Sequence, residues 1–237
     1  MPLFDILHED ADLLVVNKPA GLVVHPSKTG EMSSLIGRVR LHYGHTEGRL
    51  VNRLDRETSG IVVVATSALV ASELGRLFAG SDVRKSYIAV VHGEFPEGPQ
   101  RIDARLGRDE ASPVAIKDCV REDGAAAVTV VERVKAFERD GRTYSLVNVR
   151  PETGRKHQIR IHLAFGGFPI VGDKLYGGDP LCYLRLTTGD LTEEDRERLK
   201  LEYHALHAAS LSFRWRDRDW QFNAPPDRRL ADFAGLS

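Results

Sequence analysis

The sequence predicts an α+β protein built on a mixed, mainly antiparallel sheet with flanking helices. Three observations carry this: short branched-apolar runs set off by charged or glycine turns, one helix with a clear apolar stripe, and a charged helical stretch late in the chain. At 237 residues, 42% hydrophobic and 28% charged, the chain has the makeup of one large globular domain or two small ones. It shows no internal repeat, low-complexity tract or linker, so residues 1–237 read as a single domain.

Phe4 to His8 and Leu13 to Val16 read as two short strands about an acidic turn, and Asn17-Lys18-Pro19-Ala20-Gly21 ends the second. Ser33 or Ser34 can cap a helix through about Tyr43, with Leu35, Ile36 and Val39 as its buried stripe. Ile61 to Ala65 is a continuous apolar run, the mark of a strand buried on both faces. Ser67 caps a helix in which Leu69, Val70, Leu74, Leu77 and Phe78 recur at helical spacing, and Gly80 is placed to end it with positive φ. Strands follow at Tyr87 to Val91, Val128 to Val134 and Tyr144 to Val149. Thr192-Glu193-Glu194 opens a charged helix through Lys200, and His207 to Phe213 reads as a final inner strand.

The longest purely apolar stretch, Ile61 to Ala65, is far short of the ~20 residues needed to cross a bilayer, and Asp5, Glu9 and Asp10 spoil a signal-peptide pattern. A cytoplasmic protein with no membrane partner is expected. Cys119 and Cys182 are far apart and belong to no CxxC pair, so ordinary reduced thiols are expected, without a disulfide framework or thiolate zinc site. A formal net charge of -1 argues against non-specific coating of nucleic acid, so any nucleic-acid contact has to come from local charge.

Four segments stand out. Asn52 to Gly60 places Asp55 between Arg53 and Arg56 in a turn closed by Thr58, Ser59 and Gly60 against a buried strand. Such an aspartate suits a nucleophile or base, held ionised and rigid; equally, it can simply cap the turn while both arginines are solvated. Arg84-Lys85-Ser86-Tyr87 sets an aromatic hydroxyl beside two cations at a strand start, where a tyrosine also commonly serves as packing. Thr153 to His162, with Arg155, Lys156, His157, Gln158 and Arg160, is dense enough to form a phosphate-binding surface or a solvated charged face. Its secondary structure is ambiguous: Gln158 to Phe165 alternates like a strand, yet Gly154 and Gly166 bracket it like a helix. In Asn17 to Gly21, Lys18 can neutralise a buried acid or cover the surface, with the surface favoured.

Taken in this order, the segments closely resemble the RluA family of pseudouridine synthases. NKPxG is matched by Asn17 to Gly21, RLDxxTSG by Arg53 to Gly60, the basic-basic-x-Tyr strand start by Arg84 to Tyr87, and TGRxHQIRxH by Thr153 to His162, with Gly167 to Gly177 matching GxPIxGDxxYG behind it. The resemblance spans nearly the whole chain. It implies the pseudouridine synthase fold with a central active-site cleft. It implies that Asp55 attacks the target nucleoside, that Tyr87 lies against the flipped base and moves a proton, and that Arg160 pairs with the Asp55 carboxylate. Arg53 resembles the arginine that enters the duplex where the uridine leaves. Lys18, Arg84, Lys85, Arg155, Lys156 and His157 are the further candidates for RNA contact. The reaction breaks and remakes one bond to ribose, so a carboxylate serves without metal or cofactor, and the base must first leave its helix.

Two departures from the family pattern are visible. Histidine commonly precedes RLD, whereas this chain has Asn52, with an expected effect on RNA contact more than on chemistry. The catalytic pattern also begins within the first twenty residues, so no separate N-terminal RNA-binding domain is expected, and a compact ribosomal or transfer RNA stem-loop, bound by a monomer, is the expected partner. Two other classes compete. One is an RNA-binding or ribosome-assembly protein without catalysis, against which the intact Arg53, Asp55, Tyr87 and Arg160 set argues. The other is a metal-dependent phosphohydrolase using Asp55 and Glu57, with His204 and His207 spaced for one helical face but no carboxylate to complete a metal site.

Overall fold

The computed structural model describes residues 4–25, 33–44, 48–80, 82–179 and 181–236. The chain folds as two units, Met1–Ser86 with His207–Arg228 and Tyr87–Leu206 with Arg229–Ser237.

In the first unit, β1 (Asp5–Glu9) and β2 (Leu13–Lys18) pair as an antiparallel hairpin. The Asp10 carboxylate closes the turn by accepting the amides of Asp12 and Leu13 at 2.9 and 2.7 Å, as aspartate does in tight turns. The helix α1 (Leu35–Tyr43) starts where Ser34 accepts the Gly37 amide and stops at Gly44, φ 69°. A short β3 (Arg49–Leu50) leads to β4 (Ser59–Ala65), which is buried along its whole length, with β2 and β3 antiparallel to it. That burial on both faces is what the unbroken apolar run anticipated. In α2 (Ala68–Ala79), Ser67 caps Val70, and Val70 and Leu74 face the core. Gly80 does not have the positive φ expected: at -85° it is extended, and its amide closes the last turn on the Leu77 carbonyl at 3.1 Å. Ending the helix through this tight bond removes the need for a left-handed residue.

Most of β5 (Arg84–His92) belongs to the second unit. After β6 (Pro99–Asp103), the strands β7 (Leu106–Arg108) and β8 (Asp118–Val120) form a separate two-stranded ribbon. The long β9 (Val128–Arg139) and β10 (Arg142–Pro151) follow, giving a wholly antiparallel order β5-β10-β9-β6. Asp140 and Gly141 turn between β9 and β10 with φ of 50° and 69°, the left-handed pair that matches strand twist in a two-residue hairpin. The ambiguous segment is a helix, α3 (Gln158–Phe165). Two short helices come next: α4 (Cys182–Thr188), and α5 (Glu193–Leu199), which Thr192 and Asp195 open with a capping box. Val90, Val91, Tyr144, Val147, Leu163 and Ile170 are among the core residues.

The chain returns to the first unit in β11 (Leu206–Trp215) and β12 (Arg218–Asn223), a hairpin, before α6 (Arg228–Ala234). The strand expected to be last is therefore followed by another strand and a helix. β11 runs parallel to β4, with His207 opposite Ser59 and Ala208 opposite Gly60. Gly60 has φ 110°, and a Cβ there would fall 2.6 Å from the Ala208 nitrogen, so only glycine permits this approach. Leu13, Val15, Ile61, Val63, Leu74, Phe213 and Trp220 share the core of this unit. Among the described residues, no helix is long and apolar enough to cross a membrane.

Candidate active site

The Asp55 loop of the first unit is held from three sides. Lys18, the last residue of β2, is completely buried, and its ammonium donates to the carbonyls of Pro19, Leu22 and Arg56 at 2.9, 2.9 and 3.1 Å. Arg56 is one residue past Asp55. Its carbonyl also accepts the Gly21 amide at 2.9 Å, and its Nε donates to the Gly21 carbonyl at 3.1 Å. The Asn17 to Gly21 turn and the Asp55 loop are thus stapled together, and Arg56, though exposed, is bonded through both its carbonyl and its Nε. Burial lowers the Lys18 pKa to about 7, even though the charges of Asp55 and Asp227 both act to raise it. Asp55 is itself half-buried, with its carbonyl accepting the Thr58 amide at 3.2 Å, while Arg53 is exposed.

Beneath the loop, Ser59 is tied to β11. His207 Nε2 lies 3.0 Å from the Ala224 carbonyl, which can only accept, so Nδ1 is left to accept from the Ser59 hydroxyl at 2.9 Å. Burial pushes the His207 imidazole towards its neutral form. His207 opens a strand, not the helical face that a paired metal-ligand spacing with His204 required. Asn52 also faces inward: its amide donates to the Ile61 carbonyl at 3.1 Å and accepts the Val63 amide at 2.8 Å. Both ends of the Asn52 amide thus bond to the backbone at the edge of β4.

In the second unit, Arg160 is nearly buried and forks onto Asp173, with Nε to Oδ2 at 2.7 Å and Nη2 to Oδ1 at 2.9 Å. Burial acts to raise the Asp173 pKa, but Arg160 outweighs it and holds the carboxyl well below the usual carboxylate range. Asp173 Oδ1 also accepts the amides of Leu175 and Tyr176 at 2.9 and 3.0 Å, which fixes the turn that carries Tyr176. The Arg160 guanidinium lies 5.0 Å from the centre of the Tyr176 ring. The Tyr176 hydroxyl accepts the Asp118 amide at 3.2 Å and sits 2.9 Å from His157 Nδ1. Tyr87, opposite Val149 across the β5-β10 pair, is half-buried against the core of this unit.

The basic cluster divides. Arg155 and Lys156 are exposed, with Arg155 Nε on the Ala126 carbonyl at 3.1 Å and Lys156 Nζ on Asp118 at 2.9 Å; His157, φ 56°, is half-buried. Gln158 and His162 are not part of any phosphate-binding surface, because both are buried in one chain of bonds: Gln158 Nε2 to Thr129 Oγ1 at 2.9 Å, Thr129 Oγ1 to His162 Nδ1 at 2.8 Å, and His162 Nε2 to the Ala104 carbonyl at 3.0 Å. Arg84 is exposed, whereas Lys85 is half-buried with its ammonium 5.4 Å from the Phe78 ring centre and its pKa lowered by burial. Lys18 calls for the largest correction: a side chain favoured for the surface, and a candidate for RNA contact, has no exposed area and faces three carbonyls. Sequence reasoning named Asp173 only as part of a box and missed Tyr176 and His207 as partners. The Gly172-Asp173 pair was the one available signal for the first of these.

Residues 12–165 match the RNA pseudouridylate synthase family, and the chain belongs to it. The RluA-type resemblance agrees with its relatives. The chain is 34% identical to the "Ribosomal large subunit pseudouridine synthase D" of Vibrio cholerae over 96% of its own length and 68% of that protein's. It is also 34% identical to the RNA pseudouridine synthase YlyB of Bacillus subtilis, covering 88% of this chain and only 64% of the relative. Among solved structures, human RNA Pseudouridylate Synthase Domain Containing 1 superposes with a TM-score of 0.76 at 25% identity, over 94% of this chain and 83% of that one. The α+β architecture with mainly antiparallel pairing is the fold these proteins share.

Proposed function

We propose that this chain is an RNA pseudouridine synthase in which Asp55 attacks a uridine lifted out of its helix. The Asp55 carboxylate bonds to ribose carbon 1 as the bond to uracil nitrogen 1 breaks, the uracil turns, and its carbon 5 displaces the carboxylate to bond to the ribose, while the proton on carbon 5 leaves and nitrogen 1 gains one. The observation that carries the proposal is the Lys18 clamp, a fully buried ammonium bonded one residue from Asp55. So costly a group is kept where a loop must not move. In the same proposal Tyr87 lies against the freed base and moves a proton, and Arg160, oriented by Asp173, partners the Asp55 carboxylate. Arg53 enters the duplex, and Arg84, Lys85, Arg155, Lys156 and His157 meet the RNA backbone. Lys18 acts through the loop and not by touching RNA. The chemistry calls for no metal or cofactor.

The substrate we propose is a stem-loop of ribosomal or transfer RNA, bound by a cytoplasmic monomer acting as one catalytic domain. The printed name of the Vibrio relative favours large-subunit ribosomal RNA. The test is release of tritium from carbon 5 of labelled uridine in ribosomal and transfer RNA, with chelator present. Wild type should release it, and Asp55→Asn should not, while binding RNA within a few fold of wild type because shape is unchanged and only the attacking charge is lost. Equal turnover by the Asn variant overturns the assignment, and RNA binding with no release by wild type favours an assembly protein.

A further inference from the structure

The helix α3 carries Arg160, and it is gripped from the side away from Arg160. Gln158 and His162 are four residues apart, share one face of the helix and are both buried. Arg160 lies two residues past Gln158, about 200° round the helix, on the opposite face, where Asp173 and Tyr176 meet it. With 8 residues, α3 is too short to be stable by its own hydrogen bonds, so whatever holds the Gln158 face sets where Arg160 points.

That face is held by Thr129 of β9, which has no exposed area. The Ala104 carbonyl can only accept, so His162 Nε2 carries the ring proton, and Nδ1 accepts from the Thr129 hydroxyl at 2.8 Å. Burial favours the neutral imidazole that this requires. Thr129 Oγ1 accepts in turn from Gln158 Nε2 at 2.9 Å. The rest of the Gln158 amide is also filled: Nε2 donates to the Val128 carbonyl at 2.9 Å, and Oε1 accepts the Thr153 hydroxyl at 2.7 Å and the Arg155 amide at 3.0 Å. Thr153 Oγ1 itself accepts the Val128 amide at 2.9 Å. Every donor therefore points one way along the chain, from the Val128 amide to the Ala104 carbonyl, and one proton arrangement satisfies all of it.

We propose that Thr129 is a positioning residue of the reaction, acting through Gln158 and His162 to fix the direction of Arg160. The inference rests on the role proposed above for Arg160. An apolar residue at 129 would fill the same space without taking polar groups out of water. What the hydroxyl adds is a single rotation of α3 against β9, the kind of uniqueness that a fully satisfied buried polar chain imposes and apolar packing does not.

The test compares wild type with Thr129→Val, which keeps the shape and loses the hydroxyl, and with Thr129→Ser, which keeps the hydroxyl. In tritium release, Thr129→Val should lose roughly tenfold or more in kcat, since a group displaced by about 1 Å can cost ~100-fold, with KM within about twofold of wild type. Thr129→Ser should recover most of that loss. A second readout needs no turnover: the Nε–H resonance of Arg160 in isotope-labelled protein, identified by its loss in Arg160→Lys, should move in Thr129→Val and return in Thr129→Ser. No tritium release by wild type defeats the synthase reading alone, and the resonance still decides whether Thr129 positions Arg160. An unmoved resonance overturns the proposal, as does a loss carried wholly in KM. So does a Thr129→Val protein that unfolds at lower urea yet keeps wild-type kcat, which assigns the chain to stability alone. Should Thr129→Val not fold, Thr153→Ala at the half-buried end of the chain takes its place. A smaller fall in kcat with the same movement of the resonance is then expected, and no change in either refutes the proposal.

Discussion

Lys18→Met should separate the structural work of the buried ammonium from its charge. Methionine keeps the length of the side chain but leaves the carbonyls of Pro19 and Leu22 without their donor, while the Arg56 carbonyl retains the Gly21 amide. Pro19 is exposed, so water can replace the donor there, and at about 1–3 kcal/mol for one orphaned buried acceptor the loss is roughly 1–3 kcal/mol, from the Leu22 carbonyl. The charge adds a pH signature. The folded-state pKa of Lys18 is lowered from 10.5 to about 7. Between those values the unfolded chain binds more protons than the native one, so this group makes stability rise with pH, by about 1.4 kcal/mol per unit. Methionine has no proton to bind, so the gap between the two proteins should widen from about pH 7 upwards. Urea unfolding followed by fluorescence reads the first unit directly, since the chain's 2 tryptophans are Trp215 and Trp220, both in its core. Parallel stability curves for the two proteins between about pH 8 and pH 9 would refute the lowered pKa of Lys18. Asp55→Asn is a second arm. It removes one of the charges that raise the Lys18 pKa, so the stability rise should begin at lower pH.

Asp173→Asn leaves the buried Arg160 guanidinium without its carboxylate, a break that costs about 3–5 kcal/mol. Urea unfolding should show that loss, and tritium release should fall with it. An unfolding free energy within about 1 kcal/mol of wild type, with turnover intact, contradicts the role given to Asp173. Arg155→Ala removes an exposed cation, so RNA affinity should drop and the slope of log affinity against log salt should shrink by about 0.7–0.9. An unchanged slope places Arg155 away from phosphate.

Local pattern made much of the fold legible. The β1-β2 hairpin, the buried run of β4, the Ser67-capped α2 and the Thr192-capped α5 all follow from periodicity and capping within a few residues. The alternation over Gln158 to Phe165 left strand and helix both open for a physical reason. Its polar members Gln158, Arg160 and His162 are buried and bonded, so polar residues there do not mark a solvent face. Gly80 misled because a tight final turn ends its helix without a left-handed residue.

What the sequence determined by itself was the set of boxes, their order and the family they mark, because a box is written in residue type and spacing along the chain. What only the tertiary structure decided was what each charge answers to. Lys18 meets the Arg56 carbonyl 38 residues on, Arg160 meets Asp173 after 13, and Ser59 meets His207 after 148. Burial sets these pairings, because a charge or hydroxyl taken out of water must find a partner, and which partner is within reach depends on how the chain closes on itself.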